Sequence, residues 1–483
     1  MEKKITVISN LMWRFFERCG AQLVSFIVSV VLARLIAPEI YGLITTVTVI
    51  TSILLVFVDS GMANSLIQKK DPDDLDFSSV FYFNIVFCVV LYVGLFFAAP
   101  LIASIYRQSQ LVPVIRVLGL TVLVSGVKNV QQAYVSKTLQ FKRFFFATLG
   151  GTLLAGTVGV VMAVKGFGVW ALVAKELVNV TANTLILWLT VGWRPKWMFS
   201  FRRLKGLLSF GWKLLASALL DTVYNKLQQI IIGLRYSQSD LAFYDRANAM
   251  PNLIVENINS SIDSVLLPVL SDQQDNKDQV RGMTRRAIKI STYIMMPMMM
   301  GLAVCAEPLV RLLLTEMWLP CVPYIRIFCF SYAFYPIHTA NLNAIKAMGR
   351  SDLFLILEII KKALGITMLL IAMNYGVFAI ALTLIFTTVI GLVINSWPNR
   401  KLLDYSFFRQ LSDMLPAILL TCVMGAGVFS LTLLGLRDWL LLPLQVLTGA
   451  AVYVALSWLT RVDSFMYVLG ILQKILKRKT NED

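Results

Sequence analysis

Charge is scarce in this chain. Asp, Glu, Lys and Arg make up 15% of its 483 residues, and there is one histidine, His338. A single histidine excludes a zinc centre built on several imidazoles. The six cysteines (Cys19, Cys88, Cys305, Cys321, Cys329 and Cys422) form no CxxC pair, so they read as small apolar packing residues. No GxxxxGK[ST] loop is present, which excludes an ATP-driven motor of that type, and GxGxxG, HExxH and GxSxG are missing too. Neither a cofactor nor a metal is implied. Polar stretches are also short. The longest links, near 191–207 and 271–286, are too small to be soluble domains.

Apolar sequence is what the chain has: 58% of its residues are hydrophobic. They fall into about fourteen blocks, each near the roughly 20 residues that cross about 30 Å of hydrocarbon. The first block covers 9–36 and the last 439–460, with one at 353–373. The expected fold is therefore all-α, a polytopic membrane protein of about fourteen transmembrane helices. Arg14, Glu17 and Arg18 in the first block argue against a cleavable signal peptide. The net charge of +17 could point to nucleic acid, but its placement fits a membrane better. With the N-terminus inside, links such as 137–143, 194–205 and 277–289 put about 27 cations on the inner side, against about 7 or 8 outside. Both termini are then cytoplasmic, and no nucleic-acid partner is needed.

An internal repeat organises the blocks. Ala33-Arg34-Leu35-Ile36-Ala37-Pro38-Glu39-Ile40-Tyr41-Gly42 follows the first span, and Leu234-Arg235-Tyr236-Ser237-Gln238-Ser239-Asp240-Leu241 follows the seventh. Each places an arginine at the span end and an acid five residues on. Asp59-Ser60 pairs likewise with Asp263-Ser264, and Gly168-Val169-Trp170-Ala171 with Gly376-Val377-Phe378-Ala379. The unit is about six spans, so the halves share one orientation, with an axis along the membrane normal and a cavity between them. The expected divisions are an N-terminal lobe over 1–200, a C-terminal lobe over 201–405, and two further spans with a basic cytoplasmic tail over 406–483.

A charge at the bilayer centre costs about 2.5–3.5 kcal/mol on insertion scales, so intramembrane charges are the functional candidates. Span 1 carries Glu17, Arg18 and Gln22; its repeat partner, span 7, carries Lys213, Asp221, Asn225 and Lys226. Polar stripes on both helices place them at one cavity. Lys128 and Asn129 in span 4, Lys175 and Glu176 in span 6, Glu256 in span 8, Arg326, His338 and Asn343 in span 10, and Glu358, Lys361 and Lys362 in span 11 complete the set. Glu358 and Lys362 have ion-pair spacing, while Asp59 and Asp263 near span ends read as capping or loop residues. The balance leans cationic, which suits an anionic substrate such as a diphosphate or acidic sugar. The expected substrate contacts are Arg18, Lys128, Lys226, Arg326, Gln22 and Asn225. Glu17, Asp221, Glu256 and His338 are expected to balance charge or couple an ion.

Several segments together resemble bacterial polysaccharide flippases: Leu32-Ala33-Arg34-Leu35-Ile36-Ala37-Pro38-Glu39-Ile40-Tyr41-Gly42, Asp59-Ser60-Gly61 with Gln68-Lys69-Lys70-Asp71, Lys137-Thr138-Leu139-Gln140-Phe141-Lys142, Leu241-Ala242-Phe243-Tyr244-Asp245-Arg246-Ala247, and Leu267-Pro268-Val269-Leu270-Ser271. The resemblance spans about residues 1–400. It is to the lipopolysaccharide and exopolysaccharide export branch of the multidrug/oligosaccharidyl-lipid/polysaccharide transporter superfamily. It implies a MATE-like pair of six-helix lobes in a bacterial inner membrane and a transporter rather than an enzyme. The implied substrate is an undecaprenyl-diphosphate-linked oligosaccharide, moved from the cytoplasmic to the outer leaflet. A polysaccharide polymerase and glycosyltransferases are the implied protein partners. A multidrug/cation antiporter of the same fold is the alternative; it predicts an acidic, aromatic cavity, against the cationic lean. An integral glycosyltransferase or polymerase would need a larger outer loop, and a lipid scaffold would tolerate loss of the cavity charges.

Overall fold

Hydrocarbon offers the backbone no hydrogen-bond partner, so apolar runs must satisfy their own N–H and C=O groups as helices. The computed structural model describes residues 20–59, 62–467, 469, 470 and 473, and the described secondary structure is helical, with no strand among those residues. Among the described residues, eleven helices are long and apolar enough to cross a membrane, or twelve if a bent pair counts as one span. The chain is thus a multi-pass membrane protein. Two other expected blocks are also helical. Gly20–Leu35 is short within the described residues, and Ser351–Ala372 carries Glu358, Lys361 and Lys362 along its length.

The chain divides into two compact units after Ala242. The first holds α1 (Gly20–Leu35), α2 (Pro38–Asp59), α3 (Met62–Gln68), α4 (Asp74–Ile105), α5 (Leu111–Lys137), α6 (Phe141–Val164), α7 (Val169–Thr190) and α8 (Phe201–Arg235). Pro38 opens α2, where its missing N–H has no helical partner to lose. α4 starts on a capping box in which Asp73 accepts from the Asp76 backbone N–H. That bond holds the Asp73 carboxyl below its ordinary range. Gly151, Ala155, Gly159 and Ala163 form a buried small stripe on α6. A Cβ on Gly151 would sit 3.1 Å from the Asn179 carbonyl oxygen, and one on Gly159 3.0 Å from Lys175 Cβ, so this stripe is what lets α7 approach closely. α8 bends by 48° between Phe201–Ser209 and Gly211–Arg235.

The two repeat-equivalent corners meet inside this unit. Gly42 lies against Gln238, so close that an added Cβ would fall 1.9 Å from the Gln238 carbonyl oxygen. Thr46 Oγ1 bonds Gln238 Oε1 at 3.1 Å, and Ser239 Oγ donates to Glu39 Oε1 at 2.8 Å. Glycine is required at 42 by this approach rather than by backbone conformation.

The second unit begins within α9 (Gln238–Asp272) and continues through α10 (Lys277–Val304), α11 (Ala306–Leu313), α12 (Val322–Ala333), α13 (Tyr335–Ala347), α14 (Ser351–Ala372), α15 (Val377–Leu402), α16 (Phe407–Ser430) and α17 (Asp438–Leu459). Prolines interrupt its ladders. Pro251 and Pro268 lie inside α9 and Pro297 inside α10; Pro320 sits in a 3₁₀ turn, and Pro336 opens α13 after a break at Phe334. The last two helices pack on α10. Tyr293 donates to Ser457 Oγ at 2.8 Å, and Tyr453 donates to the Tyr293 carbonyl at 2.8 Å. Ala417, Leu420, Met424 and Val428 bury against them.

Candidate functional site

The expected site residues fall in both units. Arg18 and Glu17 lie outside the described residues; Gln22, on α1, is half-buried. On α8, Asp221 and Asn225 are exposed one turn apart and Lys226 is half-buried. On α5, Lys128 is half-buried and lies within electrostatic reach of Asp59. In the second unit Arg326 is exposed, its Nε donating to the Ala303 carbonyl at 3.4 Å. Glu256 is exposed and accepts from Asn252 Nδ2 at 2.7 Å.

His338 has a built environment. Asn395 Nδ2 lies 2.9 Å from His338 Nδ1, which accepts if the amide nitrogen donates. A Cβ on Gly391 would meet His338 Cε1 at 3.2 Å and Lys361 Cδ at 3.8 Å. Gly391 therefore lets α13, α14 and α15 converge on the imidazole. Glu358 joins the group through Lys361, at 2.6 Å. The sequence spacing suggested Glu358–Lys362. The structure instead pairs Glu358 with Lys361, an i, i+3 neighbour on the same helical surface.

Compensation reduces the cationic lean. Lys128 has Asp59 nearby, Lys175 bonds Glu176 at 2.7 Å, and Lys361 bonds Glu358. Lys213, Lys226 and Arg326 have no ion pair among the described residues, and these carry what remains of that argument.

A pattern missed in the sequence is an aspartate–asparagine pair between helices that recurs at equivalent places in the two units. Asn129 Nδ2 donates to Asp59 Oδ1 at 2.8 Å and to the Val58 carbonyl at 3.0 Å. Asn343 Nδ2 donates to Asp263 Oδ1 at 2.9 Å. Each carboxylate lies toward the end of the second span of its half, and each asparagine in the fourth. The acids are therefore partners of buried amides in other helices rather than caps or loop groups. The repeat had already aligned Asp59 with Asp263; only the packing shows where each points.

An all-helical chain with this many apolar spans, an internal repeat and polar groups within its helices defines a polytopic transporter-type membrane protein. The chain belongs to the polysaccharide biosynthesis protein family, whose model matches residues 31–323. It is similar to the succinoglycan biosynthesis transport protein ExoT of Rhizobium meliloti, 21% identical over 71% of this chain and 70% of that one. The teichuronic acid biosynthesis protein TuaB of Bacillus subtilis is 21% identical over 83% and 84%. The lipopolysaccharide biosynthesis protein WzxC of Escherichia coli is 24% identical over 79% and 78%. Among solved structures, the lipid II flippase MurJ in an inward closed conformation shares the fold with a TM-score of 0.73 and 15% identity, over 94% of this chain and 99% of that one. An inward-facing multidrug resistance MATE family transporter of the MOP superfamily gives 0.62 at 15% identity, over 79% and 95%. The expected MATE-like fold is thereby found.

Proposed function

We propose that this protein is a flippase that moves an undecaprenyl-diphosphate-linked oligosaccharide from the cytoplasmic to the outer leaflet of a bacterial inner membrane. It works by alternating access coupled to an ion or to the membrane potential, with both termini cytoplasmic. One observation carries the reading: a polysaccharide biosynthesis family match and a fold like that of a lipid-linked-substrate flippase lie on the same chain. The positive links on one side support the orientation. Arg18, Lys128, Lys226 and Arg326, with Gln22 and Asn225, contact the diphosphate or acidic sugar, because guanidinium and ammonium groups recognise phosphate by charge-assisted hydrogen bonds. Glu17, Asp221, Glu256 and His338 balance charge or carry the coupling ion. A polymerase and glycosyltransferases supply and consume the lipid-linked sugar. The lobes divide functionally near 200 and 405.

Complementation tests the reading. A strain lacking the chromosomal copy receives wild type, Arg18→Ala, Lys226→Ala or Arg326→Ala at matched membrane levels. Surface glycan and the leaflet position of lipid-linked sugar are then assayed. Each alanine variant should retain sugar on the cytoplasmic side and lose at least about tenfold in surface glycan, the scale of one charged hydrogen bond. Normal glycan with altered drug sensitivity would overturn the flippase reading in favour of an antiporter.

A further inference from the structure

The last two helices lie outside the six-span repeat, and the flippase reading gives them no task. Between α10 and the stretch that follows α17 lies a cavity of about 400 Å³ whose lining includes Gly282, Arg285, Arg286, Lys289, Asp463 and Tyr467. Arg285, Arg286 and Lys289 follow one another around the first half of α10. Asp413 is near the start of α16, and Asp463 and Tyr467 follow α17.

The three cations are not equivalent. Arg285 forms a two-pronged pair with Asp413, at 2.7 and 2.6 Å, and the Asp413 side chain is only 7% exposed. Arg285 is thereby committed to holding α16 on α10. Lys289 lies 3.6 Å from Asp413 and 3.1 Å from Asp463, whose side chain is 84% exposed. Arg286 stacks over the Tyr467 ring at 5.2 Å and has no ion pair among the described residues. The aromatic face holds the guanidinium in place and leaves its N–H donors available. Three cations against two carboxylates leave one net positive charge at the mouth, matched to one monoanionic phosphate.

The repeat sharpens the contrast. The corresponding end of α4 in the first unit is acidic: Asp73, Asp74 and Asp76 stand there, and Lys69, Lys196 and Arg203 neutralise them. The basic pocket therefore belongs to the second unit, where the stretch after α17 completes it.

We propose that this pocket binds a lipid-borne phosphate at the inner leaflet, with Arg286 and Lys289 as its donors and Tyr467 as the platform. Its placement at the inner headgroups rests on the orientation proposed above, and basic pockets between helices at that depth suit phosphate headgroups.

The full-length protein, purified in detergent, would be equilibrated with mixed micelles of phosphatidylglycerol and phosphatidylcholine, and retained lipid would be measured by mass spectrometry. Wild type should retain phosphatidylglycerol preferentially. Arg286→Gln should weaken that retention about tenfold, the scale of a charged hydrogen bond, while Asp463→Asn should strengthen it. Both side chains are exposed, so folding should survive both changes. Displacement by millimolar inorganic phosphate would identify a free anion as a sufficient ligand; retention against it would assign the site to lipid. Equal retention of the two lipids by wild type, or unchanged retention in both variants, would overturn the proposal. Labelling of Gly282→Cys with an impermeant maleimide tests the orientation separately. Reaction from the outer side would refute the inner-leaflet placement and the flippase orientation, and leave phosphate binding in detergent to stand or fall by itself.

Discussion

Asn129 and Asn343, both buried, give each half of the chain the same part-buried hydrogen bond to a carboxylate. In both residues the amide nitrogen is used, and no donor among the described residues reaches the buried Oδ1. Replacing either asparagine by leucine keeps the approximate volume and removes the donor, leaving Asp59 or Asp263 without its partner. Both carboxylates are exposed, so the loss is that of one net hydrogen bond, about 0.5–1.5 kcal/mol. We therefore expect Asn129→Leu and Asn343→Leu to lower thermal stability by similar amounts, and both to lose transport at membrane levels where wild type is active. A loss confined to one of them would mean that the repeat preserves packing but not role, and thermal unfolding with the leaflet assay reads both. The residue types of these pairs were visible in the sequence, and so was the Asp59/Asp263 alignment. What was not visible is direction. Along a helix an asparagine can face lipid, a neighbour or a cavity, and the choice is made by which helix packs beside it.

Among the elements, the junction between α7 and α8 shows how an irregular segment is held. The 191–200 stretch has no helix of its own, so its backbone groups need outside partners. Lys196 N donates to Ser78 Oγ at 3.0 Å and Ser200 N to Ser79 Oγ at 2.9 Å, while Trp193 Nε1 donates to Asp74 Oδ1 at 3.1 Å. Gln131 Nε2 reaches the Trp193 carbonyl at 3.1 Å. Asp76 anchors the arrangement. Its side chain is fully buried, with Lys69 at 2.5 Å and Arg203 at 3.4 Å. Either cation can neutralise it alone, and both are partly exposed, so single losses should be small, about 1 kcal/mol or less. Losing both strands a buried carboxylate, which is far more costly. Lys69→Met and Arg203→Met should therefore be non-additive. The double variant should exceed the sum of the singles by about 1 kcal/mol or more, measured as a double-mutant cycle of thermal unfolding. Strict additivity would show that Asp76 is satisfied by its capping bonds without either cation. In the sequence this stretch reads as a polar link between spans, and in the structure residues 191–200 form no helix. The pattern of serines and aspartates that straps it down involves residues about 120 positions apart, a separation that neither periodicity nor local spacing encodes.

For the whole molecule, the class of fold was legible because a bilayer leaves few choices: apolar blocks of spanning length must be helices, and weak matches recurring in one order reveal duplication. The residues of the site were less legible, because charge in a span says that a partner or water is needed without saying which. The repeat corners join these two points. The segments that reveal the duplication, around Gly42 and around Gln238, are packed against each other, and Thr46 beneath them is 2% exposed. If transport requires this corner to part, the packed arrangement is one of two states in equilibrium. Gly42→Ala attacks that state alone, since its Cβ would overlap backbone that cannot turn aside as a side chain would. A penalty of about 1–3 kcal/mol, usual for overpacking, shifts such an equilibrium by roughly 5- to 150-fold. Thr46→Cys should then react with an impermeant maleimide much faster in the Gly42→Ala background than with Gly42 intact. The two proteins should label alike once denatured. Unchanged labelling together with a lowered melting temperature would mean that the corner never opens, so the moving contacts would have to lie elsewhere.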